Sequence, residues 1–324
     1  MCIRDRAGAD GTIRIWTLEP RLAAGRAGPS YIGDGLTGAL EQVTREISRS
    51  DLPDTVRLTS IAMSPDGESI IRSTIRGNPG IWYPDEGEEL VADREPDPDY
   101  PLVIATGFAG ERRVAILSPE NLSSFGFLIG NRFYPAPGRV DQAPEAIAFA
   151  PETNHAAFYF SKSRQIDLYD LSGEPKLVAR VKVREFEAKA ASGDVKPYRM
   201  AFHPGGETVT GVSQDGSRMF SIDWRSMREL PRSAGERPYT FNVQVQLLQN
   251  QPRLHEILAL RADDAAVSVV AIPATRSLDD LVVGDLGRDD SFQTIRPGPN
   301  ERRPTAASFS ADGRRVALVS EQGV

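Results

Sequence analysis

"LTSIAMSPDGESI" runs from Leu58 to Ile70, and "ASFSADGRRVAL" repeats its plan from Ala307 to Leu318. Two paraphrases stand between them, "AIAFAPETNHAAFYF" (Ala146–Phe160) and "RMAFHPGGETVTGV" (Arg199–Val212). Each joins a small-residue and apolar run to a second apolar run through a turn. In Pro65-Asp66-Gly67 the proline presets φ, the aspartate bonds its own backbone and the glycine accepts positive φ. The pattern predicts a β-hairpin of two packed strands, and "GIWYP" (Gly80–Pro84) follows as a third.

The third strand recurs with an aromatic residue in a fixed slot. From Gly67 to Trp82, Thr153 to Tyr169 and Gly206 to Trp224 the chain runs 15, 16 and 18 residues. Such constancy marks one supersecondary unit reused. The turn positions Pro65, Pro151, Pro204 and Ala311 stand 86, 53 and 107 residues apart. The two long gaps are each expected to hide a degenerate copy, in Leu102–Ile129 and in Tyr239–Ile272. Units of this length with three or four strands predict an all-β chain, a β-propeller of about six antiparallel blades.

"GADGTIRIWTLEP" (Gly8–Pro20), "SPDGESI", "IDLYDLSGE" and "VSQDGSRMFSIDW" resemble the WD-repeat propellers, and the resemblance spans most of the chain. Two features of that family are missing. No Gly-His pair precedes a first strand, and Asp223-Trp224 inverts the Trp-Asp that ends the third. The family's buried Asp–His–Ser–Trp network is therefore not expected, and apolar packing is expected to hold the blades.

The ends admit two readings. Thr12–Trp16 either joins the last blade as its missing third strand, or both ends are truncations of a longer chain with seven or more blades. The two are compatible. "MCIRDR" does not continue the pattern backwards, so residues 1–6 read as non-propeller, compatible with foreign sequence, and 7–324 as propeller. One segment breaks the period: in Leu36–Arg49, Leu40, Val43 and Ile47 share a helical face. Asp51-Leu52-Pro53 stops it, so 33–53 is expected to be a helical insertion between blades.

Composition narrows the function classes. The chain has 324 residues, 38 basic against 45 acidic, for a net charge of −7. An acidic surface disfavours nucleic acid. Cys2 is the single cysteine, so no internal disulfide can form. No run approaches the roughly 18 apolar residues of a membrane helix, and no apolar signal core follows the first residues. A cytoplasmic, bacterial-style protein with no membrane contact is the expectation.

The motifs that could carry chemistry have plainer explanations. Gly33-x-Gly35-x-x-Gly38 has dinucleotide-loop spacing without a βαβ unit around it, so no cofactor is expected. His155, His203 and His255 fall in different repeats, with His203 at an exposed turn corner, and do not make a metal set. Asp97 and Asp99 lie in a proline-stiffened stretch lacking the glycine and later carboxylate of a calcium loop. Asn121-Leu122-Ser123 is a glycosylation sequon that matters only in a secretory setting. Arg180–Lys189 reads as an outer strand whose charged face discourages edge pairing. No serine has a nearby His/Asp arrangement, so no catalytic residue is assigned.

The expected function is that of a non-catalytic protein-interaction or sensor scaffold, part of a larger multidomain protein, with a protein or peptide partner. The alternative is the propeller of a hydrolase or periplasmic translocation factor whose other domain lies outside this chain. Candidate partner-binding residues are those of the loops joining second and third strands: Arg76, Asn78, Lys162, Arg164, Gln214 and Asp215. Arg261 and Asp263 of the degenerate repeat join them, with Arg57 and Tyr198, just before first strands, bordering the same face.

Overall fold

The computed structural model describes residues 13–17, 58–74, 79–83, 88–91, 98–137, 142–183, 199–224, 239–241, 245–248, 252–263, 266–274, 280–288, 291–295, 304–313 and 315–320. They form a β-propeller. Blade one is β2 (Leu58–Met63), β3 (Ile70–Thr74), β4 (Gly80–Tyr83) and β5 (Glu88–Val91). Blade two is β6 (Leu102–Ala109), β7 (Arg112–Ser118), β8 (Gly126–Ile129) and β9 (Arg132–Pro135). Blade three is β10 (Ala146–Phe149), β11 (His155–Phe160), β12 (Gln165–Asp170) and β13 (Lys176–Val183), with β17 (Tyr239–Phe241) outside them. Blade four is β14 (Arg199–Phe202), β15 (Thr208–Val212), β16 (Arg218–Asp223) and β18 (Val245–Leu247). Blade five is β19 (Leu254–Ala262), β20 (Val267–Pro273), β21 (Leu281–Asp285) and β22 (Gln293–Ile295). A sixth sheet holds β23 (Pro304–Phe309), β24 (Arg315–Ser320) and, from the other end of the chain, β1 (Ile13–Thr17).

Burial follows radius. Second strands such as β7 and β20 are apolar runs because neighbouring blades cover both their faces, whereas outer β9 is half-buried or exposed throughout. Between blades two and three the filler is aromatic: Phe125 and Phe127 meet Phe158 and Tyr169 with ring centroids 5.1 to 6.1 Å apart. Such offset and edge-on pairs add to area burial.

The ring closes. Inner strands β2, β6, β10, β14, β19 and β23 touch in that cyclic order, with β23 returning to β2. Every junction carries a hydrogen bond. Thr106 donates its N–H and its hydroxyl to Ser60 Oγ (3.0 Å each), and Gly110 N–H reaches Ala150 O (2.9 Å). Gly205 N–H reaches Glu152 Oε2 (3.0 Å), Arg199 Nε reaches Ile257 O (3.0 Å) and Arg261 Nε reaches Ala311 O (2.9 Å). Met63 N–H reaches Ser308 Oγ (3.0 Å), and Arg315 Nη1 reaches Gly67 O (2.9 Å). β1 pairs antiparallel with β24 from Ile13↔Val319 to Thr17↔Arg315, covering an edge that would otherwise face water.

Several expectations need correction. Against about six blades of three to four strands, five blades have four or five strands and the sixth sheet has three. No α-helix occurs among the described residues, and the helical insertion at 33–53 lies outside them, as do residues 1–6. Leu102–Ile129 is a repeat as expected, but Tyr239–Ile272 is not one degenerate blade. Its strands divide among blade three (β17), blade four (β18) and blade five (β19, β20). Alternation specifies a strand; which sheet receives it is settled by long-range packing. β13 was expected to resist edge pairing, yet β17 lies parallel to it over Val181↔Tyr239 to Val183↔Phe241. Blade four also has a polar core: His203 Nε2 meets Thr210 Oγ1 (2.9 Å), which meets Ser221 Oγ (2.7 Å). His203 is thus half-buried and bonded rather than an exposed corner.

Candidate binding face

Alternating strand directions sort the loops onto two faces. First-to-second hairpins and third-to-fourth turns share one, here termed the hairpin face. Second-to-third loops and the connections between blades share the other, the loop face. A cavity of about 320 Å³ runs between them on the axis, lined by all six inner strands. Glu145 and Arg199, at the starts of β10 and β14, flank its mouth on the loop face; Glu152 and Arg261 flank the other.

Lys162 and Arg164 are exposed in the β11–β12 turn, and Gln214 is exposed in the β15–β16 turn of the adjoining blade. These three stand on the loop face as expected. Asp215 is there too, but its carboxylate is committed to the turn. It accepts from Ser213 Oγ (2.6 Å), Ser217 N–H (3.0 Å) and Ser217 Oγ (2.8 Å). Burial opposes its charge, yet these hydrogen bonds prevail and hold it below the usual carboxylate range.

Arg261 and Asp263 are placed elsewhere. They end β19 and open the β19–β20 hairpin, a first-to-second connection, so they lie on the hairpin face. Arg261 Nη1 bonds Asp263 Oδ2 at 2.6 Å while its Nε holds Ala311 O of the sixth sheet. Asp263 Oδ1 accepts Ala266 N–H at 2.8 Å. The pair is a seam between blades. Assigning Tyr239–Ile272 to one blade had shifted the strand count, and with it the face. Arg57, Arg76, Asn78 and Tyr198 lie outside the described residues.

The sequence reading missed the junction of blades two and three on the loop face. Leu122, in the β7–β8 loop, is 48 % exposed at φ +52°, and Arg164 shares that φ. Leu122 O accepts Ala143 N–H at 2.7 Å, so the loop abuts the connection entering β10. Glu145 N–H reaches Tyr159 O (2.9 Å), and Ser161 Oγ donates to the Glu145 carboxylate. Asn121 Oδ1, from the sequon, accepts Ser123 N–H (3.1 Å), which makes it a turn-former in its loop. No local signal marks Leu122 or Gln142 as special; an exposed leucine is visible only once the fold has left it uncovered.

A buried pair lies nearby within blade three. Asp167, 1 % exposed, receives Arg180 Nε and Nη2 at 2.8 Å each. Burial pushes its carboxyl up, and Arg180 offsets this in part. Tyr169 is fully buried, and burial raises its phenol. These groups are walled in by blade two and serve packing.

No protein-family model matches the chain, and no curated protein matches it in sequence. Among solved structures it is similar to the β-propeller domain of Cps50 (Swd1) from Myceliophteria thermophila. The identity is 13 %, the match covers 88 % of each chain, and the TM-score is 0.46. At that identity and score the likeness carries no information on function. The propeller assignment rests on the sheets themselves.

Proposed function

We propose that this chain is a non-catalytic protein-interaction scaffold and that its loop face receives a protein or peptide partner. One observation carries the reading: Lys162 and Arg164 of blade three and Gln214 of blade four, exposed on adjoining blades, share the loop face with Glu145 and Arg199 at the channel mouth. A ring bonded at every junction holds such loops at fixed spacing, which lowers the ordering cost of binding. Function on such a scaffold is set by the loops rather than by the fold.

The test compares charge reversal on the two faces. Immobilised wild-type chain, Lys162→Glu/Arg164→Glu, and Glu68→Lys on the hairpin face are each used to capture proteins from an extract of the producing cells. Loss of a reproducible partner from the double variant but not from Glu68→Lys is expected. Equal recovery from all three removes the loop face from consideration.

A further inference from the structure

We propose that the junction of blades two and three on the loop face holds a short partner segment in which an aliphatic or aromatic side chain sits beside carboxylates. This rests on the loop face being the binding face and names its centre and the chemistry it selects.

Leu122 supplies the apolar contact. A leucine in the left-handed region gives up about 1–2 kcal/mol relative to an ordinary backbone conformation. At 48 % exposure its side chain recovers only part of that by burial within the chain. The loop nevertheless holds it firmly. Leu122 N–H bonds Pro119 O (3.0 Å), Ser123 N–H bonds Asn121 Oδ1 (3.1 Å), and buried Ser118 donates to Ser124 O (2.8 Å). A strained residue that its surroundings over-determine, with its apolar side chain turned to water, is a preformed anchor.

The neighbouring features converge on the same place. Among described non-glycine residues, positive φ occurs at Leu122 and Arg164, and one connection, 142–145, is bonded to the loops of both. Within that connection Gln142 is 8 % exposed, and its Nε2 has no hydrogen-bond acceptor among the described residues. A buried amide donor without a partner is costly, and a carbonyl from a bound segment would satisfy it. Lys162 and Arg164 are exposed cations on a chain of net charge −7, so their local field favours carboxylates. Glu145 is the acid of the junction, and it is engaged by Ser161 Oγ.

The probe is a random twelve-residue peptide library displayed on phage and panned against the full chain. Enriched peptides are resynthesised with a fluorophore and titrated by anisotropy. The expected winners place Asp or Glu beside a Leu, Ile or Phe. They weaken roughly tenfold or more with Leu122→Ser and with Lys162→Glu/Arg164→Glu, lose affinity as salt rises, and ignore Glu68→Lys. Unfolding midpoints of all variants, matched to wild type, guard against misfolding. Neutral or basic winners overturn the proposal, as do winners indifferent to both substitutions, or no winners at all. Winners weakened by Arg199→Ala alone sink the junction while leaving the loop face standing. Winners weakened by Glu68→Lys alone sink both.

Discussion

The two faces of the ring use the same turn for different ends. Ser64-x-Asp66-Gly67 and Ser310-x-Asp312-Gly313 on the hairpin face match Ser213-x-Asp215-Gly216 on the loop face. In each the serine hydroxyl donates to the aspartate (2.5 to 2.6 Å) and accepts the N–H five residues on (2.9 to 3.0 Å). The glycines sit at φ +70° to +75°. What differs is the surroundings. On the hairpin face the turns reach the next blade: Gly67 O takes Arg315, Ala311 O takes Arg261, and Gly205 N–H takes Glu152. On the loop face Gln214, Lys162 and Arg164 face solvent. One face therefore joins the blades while the other is left to display side chains, and turn chemistry alone does not tell them apart.

The largest expected effect breaks the joining face at Trp224. Its Nε1 donates to Gly206 O (2.6 Å), its ring meets His155 of blade three edge-on at 4.6 Å, and it is 1 % exposed. Gly206 itself, at φ +70°, leaves no room for a Cβ, which would stand 2.2 Å from Thr153 Oγ1. Trp224→Ala is expected to lower unfolding free energy by about 3–5 kcal/mol. Lys162→Glu on the loop face is expected to stay within about 0.5 kcal/mol. Urea unfolding followed by fluorescence and circular dichroism measures both. Equal costs would mean that the faces do not divide labour in this way.

This division was only half legible in the sequence. The Ser-Pro-Asp-Gly turns and the aromatic slot announced hairpins and a third strand, because both are local: three or four adjacent residues carry the geometry. Lys162, Arg164 and Gln214 were placed correctly since the β11–β12 and β15–β16 turns follow those hairpins at once. Arg261 was not, because its face depended on how many strands separate it from the previous turn, and β17 and β18 join two different sheets. Asp215 carried the same Ser-x-Asp-Gly signal as Asp66, which marks it as a turn-former. Leu122 carried none, since its exposure is decided by what blade three leaves uncovered.

A smaller effect sharpens the likeness between the turns. The hydrogen bond from Ser64, aided by Glu68 N–H, holds the Asp66 carboxyl below its ordinary value, and Asp215 is likewise held down against burial. A carboxyl depressed by folding contributes stability that is whole above the unfolded value, about 4, and is lost as pH falls through the folded one. Asp66→Asn and Asp215→Asn should each cost about 1 kcal/mol at neutral pH, the net worth of one hydrogen bond. That gap should close on titration to acid, read as unfolding midpoint against pH. A pH-independent gap for Asp215 alone would separate the two faces where the geometry makes them alike.

The smallest effect concerns the display face itself. If Leu122 is held at φ +52° for contact rather than for packing, its side chain contributes little to the fold and its backbone costs something. Glycine removes both. Leu122→Gly should then leave stability unchanged or raise it by up to about 1 kcal/mol, strain relief being set against the greater freedom of the unfolded chain. The same substitution at a buried leucine such as Leu168, 1 % exposed, would lose several kcal/mol through the cavity it opens. A marked loss at Leu122 would show its side chain to be mortar, like the hairpin-face residues, and would withdraw the reason for placing a partner there.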